Sequence, residues 1–129
     1  MPLPIKFVYA ELTPNSINLL QEVLKYKYPV HFGSYVTLDW SVDFELYKDI
    51  IGKKFELVVD TLCFDDKIEA IPVNLINSGL RSVNKNPHIT WSAIPTINPY
   101  YSNYMLYVSD QKINFKSVTI KVKVKADYF

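Results

Sequence analysis

The sequence predicts an α+β domain built mainly on an antiparallel sheet, and three observations carry that expectation. Apolar stretches with two-residue alternation recur along the chain. Turn residues separate them, and a helical spacing of apolar residues is extended only once, early on. Ile5 to Leu12 reads as the first strand. Thr13-Pro14 follows as an N-cap with proline at the first helical position. Ile17, Leu20 and Leu24 then recur at helical spacing, predicting a helix to about Lys27, before Pro29. Ser34 to Trp40 is the next strand, and Asp43 to Ile51 reads as a short helix ended by Gly52. Lys53 to Phe64 and Lys67 to Leu75 form two strands joined by a turn at Asp65-Asp66. A polar loop, Asn77 to Asn86, leads to a strand at His88, and a second loop runs from Pro95 to Asn103. Phe115 to Lys125 ends in strict alternation. Its Lys121, Lys123 and Lys125 row is read as the protection of an edge strand rather than as a nucleic-acid stripe.

At 129 residues the chain suits a single domain, residues 1–129, able to bury a core without disulfides or metal. Half of it is hydrophobic (49%) and the net charge is +1, which does not favour a protein dominated by nonspecific nucleic-acid affinity. The single cysteine, Cys63, excludes an intrachain disulfide, and its apolar strand context reads as a packed thiol rather than a nucleophile paired with His88. Met1 to Lys6 lacks a leader-like apolar run and no stretch reaches the ~20 apolar residues of a membrane span, so a cytoplasmic protein with no membrane partner is expected. The three glycines are scattered, which leaves no phosphate-binding glycine loop, and no His, Asp or Glu cluster has metal-ligand spacing. No metal or other cofactor is expected.

Two short segments carry the chemistry. Pro87-His88-Ile89-Thr90-Trp91-Ser92 contains His-x-Thr, and Tyr35-Val36-Thr37-Leu38 contains Tyr-x-Thr in the same apolar frame. Residues two apart in a strand share a face, so each segment aims an ionisable group and a hydroxyl the same way. His88 can give or take a proton near neutral pH, and Thr90 can anchor one phosphoryl oxygen.

The run Asn84-Lys85-Asn86-Pro87-His88-Ile89-Thr90-Trp91-Ser92, followed by Pro99-Tyr100-Tyr101-Ser102-Asn103, resembles the second motif of the two-histidine (2H) phosphoesterases. Within them it looks like the small branch related to the cyclic phosphodiesterase domain of tRNA ligases. Tyr35-Val36-Thr37-Leu38 falls at the position of that family's first His-Val-Thr-Leu. Gly52 to Val59 and Ala70-Ile71-Pro72-Val73 fit its middle strand pair, so most of residues 5 to 108 is covered. The resemblance implies a bilobal fold around a central cleft and metal-independent action on a 2′,3′-cyclic phosphate RNA end or a cyclic or 2′-5′-linked nucleotide. One imidazole would act as base and the other as acid, with Thr37 and Thr90 orienting the phosphate.

Tyr35 departs from that pattern. Tyrosine, with a reference pKa of ~10, is a poor base at neutral pH, though its hydroxyl can donate to a phosphate. His31 shares the face of Tyr35 in an unbroken strand but lies about 13 Å along it. A bend at Gly33 would shorten that distance; otherwise His31 is an ordinary turn histidine. Arg81 is either a phosphate fork or a solvated loop charge. Tyr100, Tyr101 and Tyr104 either stack on a base or pack their loop against the sheet. Trp40 and Trp91 suit core or cleft walls. The candidate site is therefore His88 and Tyr35, with Thr37 and Thr90 as phosphate anchors and Arg81, Tyr101 and His31 as further ligand contacts. Three functions fit it: a phosphodiesterase, a catalytically degenerate nucleotide- or RNA-end-binding module, or a protein-interaction domain that kept the fold.

Overall fold

Strand pairing closes a ring. The computed structural model describes residues 4–129, so Met1, Pro2 and Leu3 of the segment read as lacking a leader lie outside the described residues. The elements are β1 (Pro4–Leu12), α1 (Pro14–Val23), β2 (Val30–His31), β3 (Tyr35–Asp43), β4 (Lys54–Phe64), β5 (Ile68–Pro72), β6 (His88–Ala93), α2 (Tyr101–Val108) and β7 (Lys112–Tyr128), with one 3-10 turn at Phe44–Leu46. The sheet order is β2-β6-β3-β1-β7-β4-β5, and β5 pairs back onto β6, all antiparallel. This is the expected α+β fold with a mainly antiparallel sheet.

The core gathers inward-facing residues of six strands, among them Val8, Val36, Leu57, Ile71, Ile89 and Val122, with Leu20 and Leu24 of α1. A smaller cluster, Ile68, Ala70, Ala93 and Met105, seats α2 on β5 and β6. Thr13 caps α1 as its sequence predicts, its Oγ1 accepting from the Ser16 amide at 3.3 Å, with Pro14 at the first position. The helix stops at Val23 rather than Lys27. Leu24 after it is extended, and the chain then bends at residues 27–29, where buried Glu69 accepts from the Lys27 amide (2.9 Å) and the Ser92 hydroxyl (2.5 Å), and Ser92 accepts from the Tyr28 amide (3.2 Å). The Asp65 carboxylate makes the expected turn, accepting from the amides of Lys67 and Ile68.

Three expectations are corrected. Asp43 to Ile51 is a 3-10 turn followed by irregular turns, not a helix; Gly52, at φ +88°, does end it. The loop from Pro95 gives way at Tyr101 to α2, a helix its tyrosine-rich sequence disguises and Met105 stabilises by packing, with no exposed area. β7 lies between β1 and β4, so its lysine row belongs to an interior strand. Lys125 is paired with Glu11 at 2.7 Å, and Lys121 lies opposite Glu56 in register. The alternation marks a solvated face, not an edge.

Gly33 joins β2 to β3 at φ +96°, and a Cβ there would lie 2.7 Å from the Trp91 ring. Trp91 is fully buried, and its indole N–H has no partner. Burying that ring contributes roughly 4–6 kcal/mol, more than the ~1–3 kcal/mol lost to the orphaned donor. Gly33→Ala combines a disfavoured φ with a clash against this ring. It is expected to cost about 2–3 kcal/mol, read as a Tm roughly 5–10 °C lower. An unchanged Tm would show that the bend tolerates a side chain.

Candidate functional site

A single register pair builds the site. Val36 of β3 pairs with Ile89 of β6, and both are fully buried in the core. Alternation turns their neighbours the other way. Tyr35 therefore lies across from Thr90, and Thr37 across from His88. All four line one cavity of about 300 Å³. Each ionisable group faces the other segment's threonine, the pseudo-symmetric arrangement the two short segments foreshadow. Only that one residue pair joins β3 to β6, so the strands part beyond it and the cleft opens at the seam.

Each wall has its own construction. On the β3 side, Trp40 pairs in register with Phe7 of β1 and both line the cavity. The Tyr35 ring packs edge-on against Phe7 (5.5 Å) and Tyr9 (5.6 Å). On the β6 side, α2 and the loop before it bring Tyr100, Ser102, Asn103 and Asn98. Asn84 arrives from the loop before His88. Among the described residues, none that line the cavity is Lys, Arg, Asp or Glu.

His88 is the most constrained group, at 7% exposure. Its Nδ1 lies 2.7 Å from the Asn86 carbonyl, and its Nε2 lies 2.7 Å from Ser102 Oγ. A carbonyl only accepts, so Nδ1 carries the proton in the neutral ring and Nε2 is the nitrogen available for chemistry. Burial pushes the His88 pKa below its ordinary value, opposed by the Asn86 carbonyl. Ser102, fully buried, also has its Oγ 2.7 Å from the Pro99 carbonyl and 3.3 Å from Thr90 Oγ1.

The remaining sequence candidates fall outside this cavity. His31 is stacked on Tyr26 (3.8 Å, 9°), which stacks in turn on Trp91, placing it with the core side of β6. The bend at Gly33 is present but does not deliver His31 to the cleft. Tyr101 donates to Asp65 at 2.5 Å, a bond that pushes its pKa up to about 12, and its ring packs in the α2 cluster. Arg81 lines a separate groove with Asp39, Tyr47 and Asp49. Cys63 lies apart from the cavity too, its thiol pKa raised by burial against the opposing charge of Lys112. Of the two tryptophans, Trp40 is a cleft wall and Trp91 is core. Sequence alone does not single out Ser102, Asn84, Asn103 or Phe7 as site residues, although Asn84 opens the run through His88 and Ser102 and Asn103 sit inside the Pro99-x-Tyr101-Ser102-Asn103 flank.

A ring of antiparallel strands parted at one seam, with His-x-Thr on one lip and Tyr-x-Thr on the other, forms the cleft. The family model for the fungal tRNA ligase phosphodiesterase domain matches residues 18–127, and the chain belongs to that family. Membership points to cyclic phosphodiesterase-type function in RNA processing. The matched span takes in Tyr35, Thr37, His88 and Thr90, whereas Phe7 on β1 lies before it. No curated protein matches the chain.

Proposed function

We propose that the cleft acts on a 2′,3′-cyclic phosphate at an RNA end, or on a cyclic or 2′-5′-linked nucleotide, without a metal. The observation that carries this reading is the convergence of Tyr35, Thr37, His88 and Thr90 on one face of the β3–β6 seam. The two threonine hydroxyls sit diagonally across the seam and anchor the non-bridging phosphoryl oxygens. In ring opening, a water oxygen bonds to phosphorus and one P–O ester bond breaks. Water loses a proton and the leaving oxygen gains one. His88 handles one of these transfers through Nε2, the nitrogen that carries no proton in the neutral ring and faces the Ser102 hydroxyl.

The rest of the wall fits a nucleoside. Phe7, Trp40 and Tyr100 offer aromatic faces for a base, Trp40 and Tyr100 being exposed, and Asn84 and Asn103 offer amides. Among the described residues no group of three His, Cys, Asp or Glu is arranged to hold a metal ion. A cleft without lysine or arginine suits the single charge of a phosphodiester better than the double charge of a phosphomonoester. A second reading, a module that binds such ligands without turnover, is favoured by Tyr35 standing where the family resemblance expects an imidazole.

Hydrolysis of an RNA oligonucleotide ending in a 2′,3′-cyclic phosphate, followed in EDTA, tests the enzyme reading, and binding without product supports the module. In either case Thr37→Val and Thr90→Val are each expected to weaken binding of a 2′,3′-cyclic nucleotide roughly 5- to 50-fold, one hydrogen bond to a charged group being worth ~1–2 kcal/mol or somewhat more. Unchanged affinity in both variants would remove the threonines from the phosphate site.

A further inference from the structure

We propose that Ser102 is a positioning residue for His88, whose hydroxyl turns its single proton toward whichever neighbour needs it. The hydroxyl lies 2.7 Å from His88 Nε2 and 2.7 Å from the Pro99 carbonyl, and it is fully buried. One proton cannot serve two acceptors. With neutral His88, Nε2 accepts and the Ser102 proton points to it, leaving the Pro99 carbonyl with the Ser102 amide alone, at 3.1 Å. With protonated His88, Nε2–H donates to Ser102 Oγ, and the serine proton turns to Pro99. Every short contact is then satisfied, and the new bond is charge-assisted. The ring stays in one orientation through both states, because the Asn86 carbonyl accepts from Nδ1–H in each.

The asymmetry has a chemical sign. The protonated state satisfies both 2.7 Å contacts of the Ser102 hydroxyl where the neutral state satisfies one, the longer Thr90 contact being open to both, so Ser102 supports the protonated ring against the burial that disfavours it. No opposing charge does this instead. The groups facing His88 are Tyr35 and Thr37 on β3, Asn84 and Asn86 on the preceding loop, Pro72 of β5 in register, and Tyr100, Ser102 and Asn103 at the start of α2. Among the described residues, none of these is Lys, Arg, Asp or Glu. When a water or a phosphoryl oxygen takes the Nε2 position, the Ser102 proton returns to the Pro99 carbonyl, and no buried donor is stranded. The role in catalysis rests on the phosphodiester reading above, whereas the proton arrangement does not.

The chain has two histidines, so proton–nitrogen NMR of the ligand-free protein resolves the matter, with exposed His31 as the internal reference. Above its titration, wild-type His88 is expected to show the Nδ1–H tautomer. Ser102→Ala is expected to move the His88 midpoint to lower pH with that of His31 fixed, and Ser102→Thr, which keeps the hydroxyl, to restore it. A neutral Nε2–H tautomer in the wild type overturns the proposal without any variant. So does a Ser102→Ala midpoint that is unchanged or raised, or a Ser102→Thr midpoint that follows the alanine variant. A failure of these spectra leaves the phosphodiester reading standing, and absence of hydrolysis leaves the spectra interpretable.

Discussion

Tyr35→His is expected to raise the hydrolysis of a 2′,3′-cyclic phosphate by ~10²–10⁴-fold, the usual contribution of one well-placed general acid or base. The gain follows from what the cleft has and lacks. Thr37 and Thr90 are in place, His88 has its ring oriented by Asn86 and Ser102, and a phenol near neutral pH offers a proton without readily accepting one. Position 35 is on the cleft face, across from Thr90, with 42% of its surface exposed. An imidazole there meets solvent and substrate without entering the core. The substitution does remove ring contacts with Phe7 and Tyr9, a surface loss of about 0.5–1.5 kcal/mol that a melting curve measures separately. A folded Tyr35→His variant with no gain on any cyclic phosphate would show that the cleft lacks more than a second imidazole.

His88→Ala is the second large effect. It is expected to remove at least ~10²–10⁴-fold of any turnover, in the wild type and against the Tyr35→His background alike. Binding should respond as well, with a worked sign. Burial holds the His88 pKa below its ordinary 6.5, so the free ring gains its charge only on acidification below that value. A bound phosphodiester is an anion and favours the charged ring. Affinity for a 2′,3′-cyclic nucleotide should therefore rise as pH falls below 6.5, and should lose that slope in His88→Ala. Calorimetric titration across that range reads both. A wild-type affinity that is flat with pH would separate His88 from the bound charge.

Much of the fold was legible because its signals are local. Thr13-Pro14 announces α1, Asp65-Asp66 closes its own turn, and Val36 and Ile89 sit between polar neighbours that must face the other way. The pairing that makes those neighbours a site could be anticipated from two similar segments and their flanks. What escaped the sequence depends on contacts distant along the chain. The Lys121, Lys123 and Lys125 alternation looks the same on any strand with one wet face, and only the order of strands places β7 inside the sheet. The end of α1 is set by Glu69 and Ser92, more than forty residues on. His31 needed a bend at Gly33 to reach the cleft and Tyr101 lies in the flank of the second motif, but stacking on Tyr26 and the bond to Asp65 hold them elsewhere. Ser102 was visible within its motif, yet its partner, His88 Nε2, is defined only once α2 packs on β6.

Phosphorus NMR of an RNA oligonucleotide ending in a 2′,3′-cyclic phosphate, incubated in EDTA with the wild type, Tyr35→His and the Tyr35→His, His88→Ala double variant, tests the cleft most directly. The expected result is a cyclic-phosphate signal perturbed by the wild type, converted to a phosphomonoester fastest by Tyr35→His, and left unconverted by the double variant. No perturbation and no conversion with any of the three folded proteins would contradict a phosphodiester site at the β3–β6 seam.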